Sequence, residues 1–121
     1  MTPRDAVENF FKAFNDRDNE GLRDSFHYPH ILIGASGKAL VSATPADFTM
    51  DFDFFAGAEG WHHTTVESIR VLQQSTAKVH FEVFFTRHRE DGTDIAQGGG
   101  IWIVTKEDDK WGVQARSLYG A

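Results

Sequence analysis

With 121 residues, 40% hydrophobic and 25% charged, the chain has the length and composition of one soluble globular domain, 1–121, with a core rich in its 11 Phe. A formal charge of −6 and a pI near 5.4, with no cluster of Lys or Arg, argue against nucleic acid or an anionic membrane as partner. The absence of cysteine excludes disulfides, thiolate nucleophiles and Cys-ligated metal centres, and without a basic leader or the ~20 apolar residues of a membrane span a cytoplasmic location is expected.

Thr2-Pro3-Arg4-Asp5 supplies an N-cap hydroxyl, a proline at the first helical position and an acid three residues after the cap, which start a helix. Val7, Phe10, Phe11 and Phe14 form its apolar stripe, and it ends near Asn15-Asp16-Arg17. Asp18-Asn19 caps a second, shorter helix in which Leu22 and Phe26 repeat at a spacing of four. Pro29 closes that segment. His30 to Gly34 and Lys38 to Val41 read as short strands flanking a turn at Ala35-Ser36-Gly37. Thr44-Pro45-Ala46-Asp47 repeats the opening pattern and predicts a third helix with Phe48, Phe52 and Phe55 on one face.

Four longer strands follow. Trp61 to Gln74 alternates imperfectly, since Ile69 and Val71 share one parity and Val66 and Leu72 the other, which a bulge or strong bend reconciles. In Ala77 to Arg89, Val79, Phe81, Val83 and Phe85 alternate against Lys78, His80, Glu82 and Phe84, and Phe84 suggests that the mixed face is also covered. Ile95 to Lys106 and Trp111 to Tyr119 complete the set, joined by Gly-containing or acidic turns. Gly98-Gly99-Gly100 marks a bend or close backbone approach. Helices segregated from a mostly antiparallel sheet make an α+β domain. A sheet curved around about three helices leaves a cone whose open end suits a ligand.

The helix around Phe10-Phe11-Lys12-Ala13-Phe14, the Asp18-Asn19-Glu20-Gly21-Leu22 helix entry and the closing strand Lys110 to Ser117 resemble the nuclear transport factor 2-like superfamily. This is the cone-shaped, cystatin-like α+β fold of ketosteroid isomerases, scytalone dehydratase and SnoaL-like polyketide cyclases. Tyr28-Pro29-His30-Ile31 with the Gly34 to Gly37 turn is similar to a bacterial group of that superfamily whose function is unknown. The resemblance implies a homodimer and leaves the chemistry open. The tyrosine that ketosteroid isomerases carry on the first helix has no counterpart among Phe10, Phe11 and Phe14.

His27, Tyr28 and His30 bracket Pro29 at an element junction expected near the cone, where imidazole and phenol groups transfer protons or polarise a carbonyl. The alternative is that Tyr28 packs under the helices while one histidine caps a carbonyl and the other is solvated. His62 and His63 begin a strand and are expected on opposite faces, so at most one lines the pocket. No metal-ligand spacing joins them to other histidines, and neither a metal nor a cofactor is expected. Arg116, between Ala115 and Ser117, either binds a ligand carboxylate or a pocket acid, or lies on the opposite face if Trp111, Val113 and Ala115 point inward. Trp61 and Trp102 line a pocket or belong to plain core. Asp51 and Asp53 sit in a greasy helix and are expected to face solvent.

The expected function is a small-molecule pocket of the SnoaL-like type for an apolar or aromatic compound. As an enzyme it would run cofactor-free isomerisation, dehydration or cyclisation through His30, Tyr28 or His63, with Trp61, Trp102, Arg116 and His27 holding the ligand. The rivals are a non-catalytic dimerisation module with a filled cone, and a ligand carrier.

Overall fold

Thr2 closes the N-terminus of α1 (Pro3–Asn15) with a capping box. Its backbone N–H donates to Asp5 Oδ2 at 2.7 Å, and its hydroxyl accepts from the Asp5 N–H at 3.3 Å. The helix buries Ala6, Val7, Phe10, Phe11 and Ala13. The Asp18 side chain caps α2 (Asn19–Ser25), accepting from the Gly21 N–H at 3.0 Å. This computed structural model describes residues 1–120.

Strands β1 (Phe26–Ile33), β2 (Ala39–Ser42), β3 (Trp61–Gln74), β4 (Lys78–Arg89), β5 (Asp94–Glu107) and β6 (Lys110–Gly120) form one curved sheet in the order β2-β1-β6-β5-β4-β3. Only the β1–β6 pairing is parallel. The fold is the expected α+β cone, with the helices on the concave face. Phe10 and Phe11 of α1 meet Trp102 of β5 at ring-centroid distances of 4.9 and 5.2 Å, a geometry in which aromatic edges and faces attract beyond their burial.

Two element boundaries differ from the sequence expectation. Phe26 is the first residue of β1 instead of the last turn of α2; its ring faces Phe10 at 5.7 Å across the core. The third helix is divided. Thr44 and Asp47 form a capping box that closes only a 3-10 turn, Pro45–Asp47, and a new helix α3 (Phe52–Glu59) starts where the Asp51 side chain accepts from the Phe54 N–H at 3.0 Å. A second good N-cap seven residues after the first, about two turns on, competes with helix propagation from Thr44, leaving residues 48–51 as a non-helical bridge. Side chains of α2 hold this bridge. Asn19 pairs with both the N–H and C=O of Met50 at 2.8 and 3.0 Å, and Arg23 Nε donates to the Phe48 carbonyl at 2.8 Å.

The expected irregularity in β3 is present as register shifts against β4 between Trp61 and His63, Val66 and Ser68, and Val71 and Gln73. A further shift lies in β6, where Ile103 pairs with Ala115 but Val104 pairs with Val113, so Gln114 is the extra residue. The glycine run is a close approach. The Phe84 ring occupies the place where a Gly99 Cβ would sit, and the Ser117 carbonyl occupies that of Gly100. The mixed face of β4 is open in the single chain, with Phe84 47% exposed.

Candidate functional site

The bulge at Gln114 decides where Arg116 points. Val113 lies opposite Val104 and Arg116 opposite Trp102, so residues three apart on β6 share the concave face and simple alternation from Trp111 through Ala115 fails. Arg116 is 7% exposed. Its guanidinium carbon lies 4.7 Å from the Phe10 ring centre and 5.4 Å from those of Phe26 and Trp102. Among the described residues no carboxylate forms an ion pair with it. Burial lowers its pKa to about 10, so it remains a cation at neutral pH.

Its polar contact is His30. The His30 ring stacks on Phe26 with centroids 3.7 Å apart, and Nδ1 lies 3.0 Å from the Val113 carbonyl. A carbonyl only accepts, so Nδ1 carries the proton and Nε2 presents its lone pair to Arg116 Nε–H, 3.3 Å away. Burial first, and the neighbouring Arg116 charge second, lower the His30 pKa to about 3. His30 is therefore neutral in the folded protein.

Between about pH 6.5 and 3 the unfolded chain binds a proton at His30 that the folded chain does not, so this group lowers stability as the pH falls, by roughly 1.4 kcal/mol per pH unit. A His30→Asn variant keeps a side-chain donor for the Val113 carbonyl and does not titrate. Urea denaturation at pH 7, 6, 5 and about 4 is expected to show a shallower acid decline in the variant. Parallel declines would mean that His30 titrates normally.

Arg116 lines two cavities, an outer one toward the sheet edge at β2 and an inner one toward β4. The outer one, about 490 Å³, is lined by Phe10, Phe14, His30, Leu32 and Arg116, with β2 and the bridge around Phe48 on its far side; its size is that of a small-molecule pocket. The inner one, about 120 Å³, shares Phe10, Phe14 and Arg116 and adds Phe55, Thr64, Arg87 and Trp102. Arg87 was not singled out in the sequence, although continuing the alternation Val79, Phe81, Val83, Phe85 by one step places it inward.

Of the candidate site residues, the structure brings together His30, Arg116 and Trp102. Tyr28 stands apart, its hydroxyl donating to the Arg23 carbonyl at 2.8 Å and its pKa raised by burial. His27 lies on the convex face against Gly112, with Nδ1 2.9 Å from Thr105 Oγ1 and its pKa lowered mainly by burial. Trp61 is core, enclosed by Phe14, Phe52 and Phe55, and its indole N–H donates to Thr64 Oγ1 at 2.9 Å. His63 lines neither cavity. The expectation that His62 and His63 face apart is corrected, because the bulge between Trp61 and His63 brings their Nδ1 atoms to 3.0 Å, with His63 also stacked on His88 at 4.8 Å. Asp51 and Asp53 are exposed, as expected.

The family described as "NTF2-like protein (DUF6841)" matches residues 4–117. No curated protein matches the sequence. Among solved structures, a protein of unknown function with a cystatin-like fold from Nostoc punctiforme superposes with a TM-score of 0.74 at 16% identity, over 98% of this chain and 87% of that one. A ketosteroid isomerase-like protein from Erwinia carotovora atroseptica gives a TM-score of 0.68 at 15% identity, over 97% and 92% of the two chains. A structure from Catenulispora acidiphila in complex with S-DNPA gives 0.74 at 10% identity, over 97% and 89%. At these identities the likeness is one of fold.

Proposed function

The chain belongs to the NTF2-like protein family DUF6841, and from that premise we propose that its outer cavity binds a small, largely apolar or aromatic molecule. The observation that carries this reading is Arg116, a buried cation at the floor of an aromatic-walled cavity of about 490 Å³ whose polar contact is a neutral imidazole. Desolvating a guanidinium is costly unless something pairs with it. A pocket protein recovers that cost when its ligand binds. The fold shared with a ketosteroid isomerase-like protein and with a protein solved in complex with S-DNPA supports the same reading.

Acid/base chemistry of the isomerase, dehydratase or cyclase kind would run through His30. In the structure its Nε2 lone pair is engaged by Arg116. A ligand that draws Arg116 away frees that lone pair and removes the second cause of the low pKa, leaving burial as the first. Proton transfer thus depends on what the ligand offers Arg116.

A second copy of the chain is the proposed partner on the convex face. Phe84 and Tyr119 flank Gly99 there across β4, β5 and β6, with Ile101 in the next row, and they are 47%, 72% and 42% exposed; this grouping of exposed apolar side chains on one face supports the proposed interface. The non-catalytic reading, a dimerisation module with a filled cone, keeps this face and dispenses with the ligand.

Native mass spectrometry of gently purified protein, followed by denaturing release, tests both parts. The expected result is a two-chain mass carrying an extra small molecule, or a two-chain mass that takes up added 2-naphthol, an uncharged aromatic probe. A dimer that carries nothing and does not bind 2-naphthol overturns the ligand reading in favour of the module. A single-chain mass overturns the proposed dimer.

A further inference from the structure

Two buried donors on residues that line the inner cavity lack an acceptor, and Arg116 lines the same space. Arg87 is 7% exposed and Trp102 1%, and both line this space with Arg116. Among the described residues, Arg87 Nε and Trp102 Nε1 are buried with no hydrogen-bond partner. Buried donors of this kind are uncommon in folded proteins, and each calls for an acceptor. Guanidinium and indole nitrogens only donate, so what they lack is an acceptor.

The charges define the acceptor further. Arg87 Nη1 is paired with Glu59 Oε2 at 2.7 Å, which offsets one of the two cations at the cavity, while Arg116 has no carboxylate. About one positive charge is left over, which suits a monoanion better than a phosphate dianion. A volume of about 120 Å³ is below the ~300 Å³ lower limit of ordinary ligand pockets but accommodates a head group. Phe55, with the Arg87 guanidinium carbon 5.2 Å from its ring centre, and Phe10 and Phe14 wall the space with apolar surface. The planar fork of a guanidinium matches a carboxylate.

We propose that the inner cavity is a carboxylate subsite, with Arg87 Nε, Trp102 Nε1 and Arg116 as donors, and that the ligand is a carboxylic acid on a flat apolar body. This rests on the outer-cavity reading, since the body of such a ligand occupies the larger space and its carboxylate reaches past Arg116. The same arrangement supplies the anion that draws Arg116 from His30 Nε2.

Isothermal titration calorimetry at pH 7 with 2-naphthoate, 2-naphthamide, 2-naphthol and inorganic phosphate tests the subsite, because the three aromatic probes share one body. Naphthoate is expected to bind about tenfold or more tighter than the amide or the alcohol, in keeping with charge-assisted hydrogen bonds, and phosphate weakly or not at all. Trp102→Phe keeps the stacked ring, and Arg87→Gln keeps a side-chain amide facing Glu59. Each is expected to weaken naphthoate by roughly tenfold and leave 2-naphthol unchanged. Naphthoate should also shift the Trp102 indole N–H proton resonance, assigned by its disappearance in Trp102→Phe. If 2-naphthol binds but naphthoate gains nothing, or if both variants bind naphthoate like the wild type, the subsite is overturned and the outer cavity stands. Tight phosphate binding would replace the carboxylate with a phosphate ligand. If no aromatic probe binds, both readings fail.

Discussion

Gly100→Ala is expected to abolish the folded state, or to destabilise it by more than about 3 kcal/mol, the range reserved for severe core and backbone defects. A Cβ at this position would fall on the Ser117 carbonyl and reach Leu118 Cα at 3.0 Å. These are backbone atoms of the neighbouring strand, in register with Ile101 and Gly100. No rotamer change relieves the clash; β5 and β6 would have to separate, and β6 carries Arg116. Gly57→Ala is the control, because a Cβ there meets nothing within 4 Å in the middle of α3. It is expected to stabilise by roughly 0.5–1 kcal/mol. Urea denaturation followed by circular dichroism separates the two. A Gly100→Ala protein with wild-type stability would show that the β5–β6 pairing is not as described.

Arg116→Met is expected to remove naphthoate binding by about a hundredfold while leaving the protein as stable as before, or more stable by about 1–2 kcal/mol. Replacing a buried ionic group with an apolar side chain of similar length removes a desolvation penalty. Two losses offset part of that gain: the attraction to the rings of Phe10, Phe26 and Trp102, and the donor that faces His30 Nε2. The His30 pKa should rise, since the Arg116 charge is its second cause, and should stay below the ordinary histidine value, since burial is the first. Binding calorimetry, thermal melts and histidine NMR titration give the three readouts. A variant that is strongly destabilised yet binds naphthoate unchanged would make Arg116 a structural residue.

Local chemistry made much of the cone legible. The Thr2-Pro3-Asp5 signal located α1, and the strict alternation through Val79, Phe81, Val83 and Phe85 gave the buried face of β4 and, extended to Arg87, one side of the inner cavity. The glycine run was recognisable as a close approach. What escaped were the side-chain directions set by two strands together. Whether Arg116 faces in or out depends on a bulge at Gln114 that shows only in the pairing of β6 with β5, and no composition rule places an extra residue there. His62 and His63 come together for a similar reason. The divided third helix had its signal in Asp51, which competes with Thr44 as a cap.

The Gln114 bulge has a meaning beyond geometry. Up to Val113, β6 is written in one phase, and from Arg116 onward in the other. The cationic floor is thus set by the one residue that the bulge takes out of the pairing as much as by the arginine itself. The same residues paired without a bulge would turn the distal half of the strand over, presenting Ala115, Ser117 and Tyr119 to the cone and Arg116 and Leu118 to the convex face. Deleting Gln114, by contrast, would remove only the extra residue and leave Arg116 opposite Trp102. A slip of one residue in this pairing at unchanged length would exchange the ligand side and the partner side of the sheet at a stroke. Related chains that lack one residue here should therefore be aligned with the gap at the bulge before their pockets are compared side chain by side chain.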